Sequence, residues 1–149
     1  MSTHHQLLYH IVFGTKQRQS WLTVEIREQV FAYIIGVAKA IDGVVLAIGG
    51  VEDHIHLLVR IPAKTAVADF VRTLKSNSSK HIHETWPDLA QFRWQDGYGA
   101  FTVSSSNVEA VRTYVLNQPE HHCRTSFQDE YLKLLERHGV EFDPRYVFE

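Results

Sequence analysis

Asp53-His54-Ile55-His56-Leu57, set inside the apolar run from Val51 to Ile61, decides how this chain is read. Side chains on a strand alternate between faces, so His54 and His56 share one side while Ile55, Leu57 and Val59 enter the opposite layer. Two imidazoles placed this way hold a divalent ion with most of its coordination shell open, which suits catalysis better than structure. The competing reading is a pair of polar side chains facing solvent on a half-exposed strand. The metal reading needs a third ligand from elsewhere in the chain.

Working outward, Val44 to Ile48 is a second apolar run, separated from the histidine strand by Gly49-Gly50-Val51-Glu52-Asp53. That spacing predicts an antiparallel hairpin with a glycine-rich turn, and Pro62 closes its second strand. Leu7 to Thr15 is β-branched and aromatic enough for a first strand. Thr23 precedes a helix over Val24 to Ala40, where Ile26, Val30, Ile34, Val37 and Ile41 recur at helical spacing and Asp42-Gly43 marks the stop. A second helix is expected from about Ala66 to Glu84, burying Val67, Phe70, Val71 and Leu74 and ending at Trp86-Pro87. Phe92 to Ser104 alternates aromatic and polar residues, which predicts a short hairpin or bulged edge strand. Asn107 caps a third helix reaching Gln118, with Pro119 just beyond it. A further helix covers Phe127 to His138, and the acidic, aromatic tail to Glu149 is expected to pack on a neighbour. Strand, helix, strand, strand, helix, strand, helix describes an α+β protein: an antiparallel sheet with packed helices and a ferredoxin-like core.

The chain has 149 residues, 44% of them hydrophobic, and reads as one domain over 1–149. No apolar stretch reaches the roughly 20 residues that span a bilayer, and no signal pattern opens the chain, so a cytoplasmic protein is expected. Cys123 is the only cysteine, which excludes an intrachain disulfide and a cysteine-based zinc site. A net charge of -2 argues against coating nucleic acid by bulk attraction. Charge is nonetheless unevenly spread: Arg60, Lys64, Arg72, Lys75 and Lys80 face only Asp69 between positions 60 and 80, whereas acids outnumber bases after Gln118.

Tyr114 and Gln118, four residues apart on the third helix, share a face. A glutamine carbonyl is a reasonable ligand for magnesium or manganese, and a tyrosine hydroxyl beside such an ion is a candidate nucleophile. With a reference pKa near 10, tyrosine is about one part in a thousand ionised at pH 7, a deficit of roughly 4 kcal/mol that a cation or base must help offset. Alone, the pair reads as a packing aromatic and a surface amide. It gains meaning beside His54 and His56. His81-Ile82-His83 repeats the histidine pattern in letters but falls on a helix, where residues two apart diverge, so it is set aside as the metal site. His121-His122 reads as a solvent-facing loop, and His10 on the first strand faces either nucleic acid or the core.

Four blocks, YHIVFGTKQR (9–18), DHIHLLVRIP (53–62), FVRTLKSNSSK (70–80) and YVLNQPEHH (114–122), give the chain a resemblance to the single-tyrosine HUH transposases of prokaryotic insertion sequences and their repeat-associated relatives. The resemblance implies an HUH endonuclease core with His54, His56 and Gln118 as ligands of Mg2+ or Mn2+ and Tyr114 as nucleophile. It implies cleavage and rejoining of single-stranded DNA, bearing a hairpin at the element ends, through a 5′-phosphotyrosyl link. It also implies a homodimer, no nucleotide cofactor, no membrane, and association with the nucleoid when DNA is bound. Lys16, Arg18, Arg72, Lys75 and Lys80 are candidate DNA contacts, and Trp94, Tyr98 and Phe101 candidate platforms for unpaired bases. Two other classes remain. One is a domesticated nucleic-acid-binding or nicking protein of the same fold; the other is a small metal-dependent hydrolase that would not need Tyr114. A triple-histidine nucleotide hydrolase is disfavoured because Leu58 stands where the next same-face histidine is needed.

Overall fold

The structure, a computed structural model, describes residues 2–149. Four strands, β1 (Leu8–Gly14), β2 (Val44–Gly50), β3 (His54–Arg60) and β4 (Gly99–Thr102), form one antiparallel sheet in the order β2-β3-β1-β4. Helix α1 (Val24–Ala40) joins β1 to β2 and α2 (Val67–Thr85) leads from β3 towards β4, which is the ferredoxin-like arrangement. Three more helices follow: α3 (Val108–Leu116), α4 (Gln118–His121) and α5 (Phe127–Arg137). Among the described residues no helix is long and apolar enough to cross a membrane.

Alternation along the two central strands divides the core. Ile11, Phe13, Ile55, Leu57 and Val59 pack on one side with Val30 and Ile34 of α1 and Phe70, Leu74 and Ile82 of α2. Val12 meets Phe127, Tyr131, Leu134 and Leu135 of α5 on the other, while Leu58 and Ala47 meet Val115 of α3. The histidine face is therefore covered by the carboxyl-terminal helices and not by water, which overturns the half-exposed reading of β3.

Several local expectations change. Gly49 and Gly50 belong to β2, and the turn is confined to residues 51–53. The backbone of α1 reverses at Asp42, whose φ is 66°, ahead of the glycine. The third helix stops at Leu116; Gln118 starts α4, with Pro119 in its first turn, where a missing N–H costs no hydrogen bond. Trp94 is core: its ring meets Phe13 and Phe92 edge-on and Nε1 donates to Ser78 Oγ at 3.0 Å. Phe101 is buried too, stacked on His138, so neither is free to receive a base. The tail packs on its own chain: Phe142, Val147 and Phe148 lie against the α5 cluster, and the Glu149 carbonyl accepts from Gly97 N and Gln95 Nε2.

Candidate metal centre and nucleophile

Register sets the histidines. His54 and His56 lie opposite Gly14 and Val12 on β1, and both side chains are fully buried. Each ring is fixed through its Nδ1: His54 to Asp53 Oδ1 at 2.8 Å, His56 to His10 Nε2 at 2.7 Å. Holding Nδ1 in this way turns both Nε2 atoms inward and fixes the orientation of each ring, as the second bond of a ligating imidazole does. His10, left open between nucleic acid and core by the sequence, is thus a buried support for His56.

The inward nitrogens meet Glu130, a residue that the sequence reading did not single out. Its Oε1 lies 2.9 Å from His56 Nε2, 3.5 Å from His54 Nε2 and 3.1 Å from His122 Nε2. Its Oε2 accepts the hydroxyl of Tyr114 and lies 3.1 Å from His121 Nε2. His121 and His122, expected in a solvent-facing loop, therefore turn into the site. Gln118 is buried, with Oε1 3.3 Å from His54 Nε2 and Nε2 donating to the Tyr114 carbonyl. A carboxylate in the buried register of α5, among Phe127, Tyr131, Leu134 and Leu135, was the available signal for Glu130.

Electrostatics keep this cluster quiet. Burial holds His10 down to about 3 and His56 to about 4, so both are neutral at ordinary pH. Burial also lowers His54, but its bonds to Asp53 and Glu130 win and raise it. Burial works to raise Glu130, yet the imidazoles of His122, His54 and His56 gathered around it hold it far below the usual carboxylate range. Burial and then the bond to Glu130 push the Tyr114 phenol above its ordinary value, so the nucleophile candidate carries its proton.

The donor set fits a metal ion. One ligand atom each from His54, His56, His122 and Glu130 falls within a span of 4.8 Å. The Nε2 atoms of His121 and His122 are buried without a hydrogen-bond partner, near Glu130 but out of hydrogen-bond geometry. Orphaned nitrogens around a carboxylate are what a cation would satisfy. Glu130 also supplies a negative charge that the two histidines and the glutamine lack.

The proposed DNA contacts are dispersed. Lys16 pairs with Asp96 at 3.6 Å, and Arg18 lies 5.9 Å over the Phe148 ring, both just past Gly14 and hence near His54. Arg72, Lys75 and Lys80 ride on α2, across the sheet from the histidines. Arg72 pairs with Asp69, and Lys80 is exposed. Lys75 is a correction: its ammonium donates to the carbonyls of Gln95, Asp96 and Gly97 at 2.8, 3.2 and 2.7 Å, so it ties down a loop instead of facing a phosphate. The His81/His83 pair stays outside the site, His81 stacked on Tyr33 and His83 bonded to the Phe92 carbonyl.

A four-stranded antiparallel sheet with a histidine pair on a central strand and a tyrosine on the covering helix has the build of a tyrosine transposase. The family model described as "Transposase IS200 like" matches residues 3–118, and the chain belongs to that family. It is 32% identical over 117 residues to the transposase for insertion sequence element IS200 of Salmonella typhimurium, covering 75% of this chain and 76% of that one. It is 26% identical over 119 residues to the ISDra2 transposase TnpA of Deinococcus radiodurans, covering 76% and 85%. A crystal structure of a putative transposase from Deinococcus radiodurans superposes with a TM-score of 0.67 at 25% identity, covering 79% of this chain and 95% of that one. A REP-associated tyrosine transposase bound to a REP hairpin shares the fold, with a TM-score of 0.62 at 16% identity over 82% and 74% of the two chains. Glu130, His121 and His122 lie beyond the segment the family model matches.

Proposed function

We propose that this transposase cleaves and rejoins single-stranded DNA at insertion-sequence ends, with Tyr114 as nucleophile. The Tyr114 oxygen attacks a backbone phosphorus, the bond to the 3′-oxygen breaks, and a 5′-phosphotyrosyl link and a free 3′-hydroxyl result. Reversal on another end rejoins the strand, so no nucleotide triphosphate is required. One observation carries the reading: the Tyr114 hydroxyl and the Nε2 atoms of His54 and His56 converge on a single carboxylate, Glu130.

His54, His56 and Gln118, joined by His122 and Glu130, are the residues that would hold the ion. An imidazole-rich set with one carboxylate suits Mn2+ better than Mg2+. Bound there, the ion supplies Lewis-acid polarisation of the scissile phosphate. The chain's own part is to orient His54 through Asp53 and His56 through His10, to exclude water, and to hold the Tyr114 proton on a defined acceptor. We also infer a cytoplasmic homodimer that binds a DNA hairpin, with each Tyr114 serving the histidines of its own chain. The support for that last point is the contact between Tyr114 and the cluster within one chain. Mixed dimers of Tyr114→Phe and His54→Ala chains test it: restored cleavage requires sharing between chains.

The principal experiment is a denaturing-gel assay with end-labelled single strands from both flanks of the gene, with Mg2+ or Mn2+. A metal-dependent covalent adduct present in wild type and lost in Tyr114→Phe is expected. An undiminished adduct in that variant would exclude Tyr114, while no adduct despite hairpin binding would favour a domesticated binding protein.

A further inference from the structure

Glu130, Lys133, Leu134 and Arg137 recur at three- and four-residue spacing and so form one stripe along α5. That stripe faces Tyr114. Where it meets α3 and α4 there is a cavity of about 160 Å³, lined by Tyr114, Glu130, His121, Thr125, Lys133 and Arg137. Tyr114 and Arg137 also line a second cavity of about 290 Å³, walled by Val103, Ala110 and Val111 with Asn107 at its edge. The nucleophile candidate thus sits between a small cationic chamber and a larger, mostly apolar one.

The cations of the small chamber are free to act. Lys16, Lys64, Arg72, Arg112 and Arg145 each lie within ion-pair distance of a carboxylate, whereas Lys133 and Arg137 make no such pair among the described residues. Neither pairs with Glu130, whose two oxygens face four imidazoles. His121 adds a ring nitrogen without a hydrogen-bond partner. On the opposite side of the sheet, the basic residues of α2 cannot supply charge at the Tyr114 oxygen.

We infer that Lys133 and Arg137 seat the scissile phosphodiester against Tyr114, with the adjoining unpaired nucleotide in the larger cavity. The inference rests on Tyr114 being the nucleophile. As Tyr114 attacks, negative charge grows on the phosphate oxygens, and fixed cations facing them act on the transition state more than on DNA binding. Lys133 and Arg137 are exposed, so their removal leaves the core untouched.

The test is single-turnover adduct formation with saturating single strands, once the wild-type protein has located the cleaved bond. Lys133→Gln and Arg137→Gln are compared with Lys64→Gln, a surface cation far from the site. Arg137→Gln is expected to slow adduct formation about 100-fold, Lys133→Gln to slow it less, and Lys64→Gln to change it by less than about threefold. A strand in which the cleaved phosphate itself is a neutral methylphosphonate should slow wild type but add little to the defect of Arg137→Gln, an overlap that a merely structural role would not produce. Wild-type rates in both α5 variants, alongside an adduct that still requires Tyr114, overturn this inference and leave the nucleophile intact. Absence of any adduct in wild type overturns both.

Discussion

Val115 of α3 rests on Gly49 of β2: a Cβ at Gly49 would overlap the Val115 carbonyl oxygen. Glycine here serves the close approach of a helix to a strand. Because Tyr114 immediately precedes Val115 on α3, the contact also sets how deeply that side chain reaches towards His54 and His56. Gly49→Ala is expected to cost about 1–3 kcal/mol of stability through overpacking. Cleavage should suffer more than that loss implies, since a displacement of about 1 Å near the reacting atoms costs on the order of 100-fold in rate. Urea unfolding and single-turnover adduct formation on the same preparation separate the two effects.

Lys75 gives the opposite split. Its three carbonyl acceptors and its position 5.2 Å over the Phe13 ring make it a brace between α2 and residues 95–97, and burial holds its pKa down to about 8. Lys75→Met should lower stability by about 1–3 kcal/mol because it leaves part-buried carbonyls without a donor. The salt dependence of single-strand binding should stay at its wild-type slope. Loss of a true phosphate contact would reduce that slope by about 0.7, so a reduction of this size in Lys75→Met would restore it as a DNA contact.

These two positions show where the sequence was legible. The strand alternation around His54 and the helical repeat of α1 are local patterns, and β3 and Val24–Ala40 stand where those patterns put them. The pairing of Tyr114 with Gln118 also survives, although a break at Asn117 puts them on two helices. Gly49 and Lys75 were misread because their local chemistry, a turn glycine and a surface cation, is overridden by partners far along the chain. Glu130 was passed over for a related reason. Its neighbours on α5 read as a core stripe, and the two fully buried imidazoles that help make a buried carboxylate affordable come from the sheet, more than 70 positions earlier.

Acid should unfold the metal-free protein early. His10 and His56 are held to about 3 and about 4, while an unfolded histidine titrates near about 6.5. Below that value the unfolded chain binds protons that the folded chain refuses, so stability falls as pH drops towards 4, by up to about 1.4 kcal/mol per pH unit for each histidine. His54, raised by Asp53 and Glu130, acts in the other direction: its contribution is complete below about 6.5 and fades as pH rises through its folded value. Urea unfolding in a chelator at about pH 7, 6 and 5 should therefore show a steepening loss. A flat profile across that range would contradict a neutral, buried His10–His56 pair.

Glu130 touches both the candidate ion site and Tyr114, and metal binding can be read without DNA. One carboxylate oxygen faces His54, His56 and His122 and the other accepts from Tyr114, so an ion held at those histidines would draw on the first oxygen, with Tyr114 on the second. Mn2+ should stabilise the folded chain, by about 2.7 kcal/mol at a concentration 100 times Kd. His54→Ala should abolish that gain. Glu130→Gln keeps the shape but removes the only negative charge in the donor set, and should weaken Mn2+ by about tenfold or more. Tyr114→Phe should leave affinity within a small factor of wild type, because it removes a partner of the oxygen that turns away from the ion. Calorimetric titration with Mn2+, paired with thermal melts, checks all three. If Glu130→Gln binds as wild type does while His54→Ala does not bind, the histidines hold the ion without the carboxylate, and Glu130 belongs to Tyr114 alone.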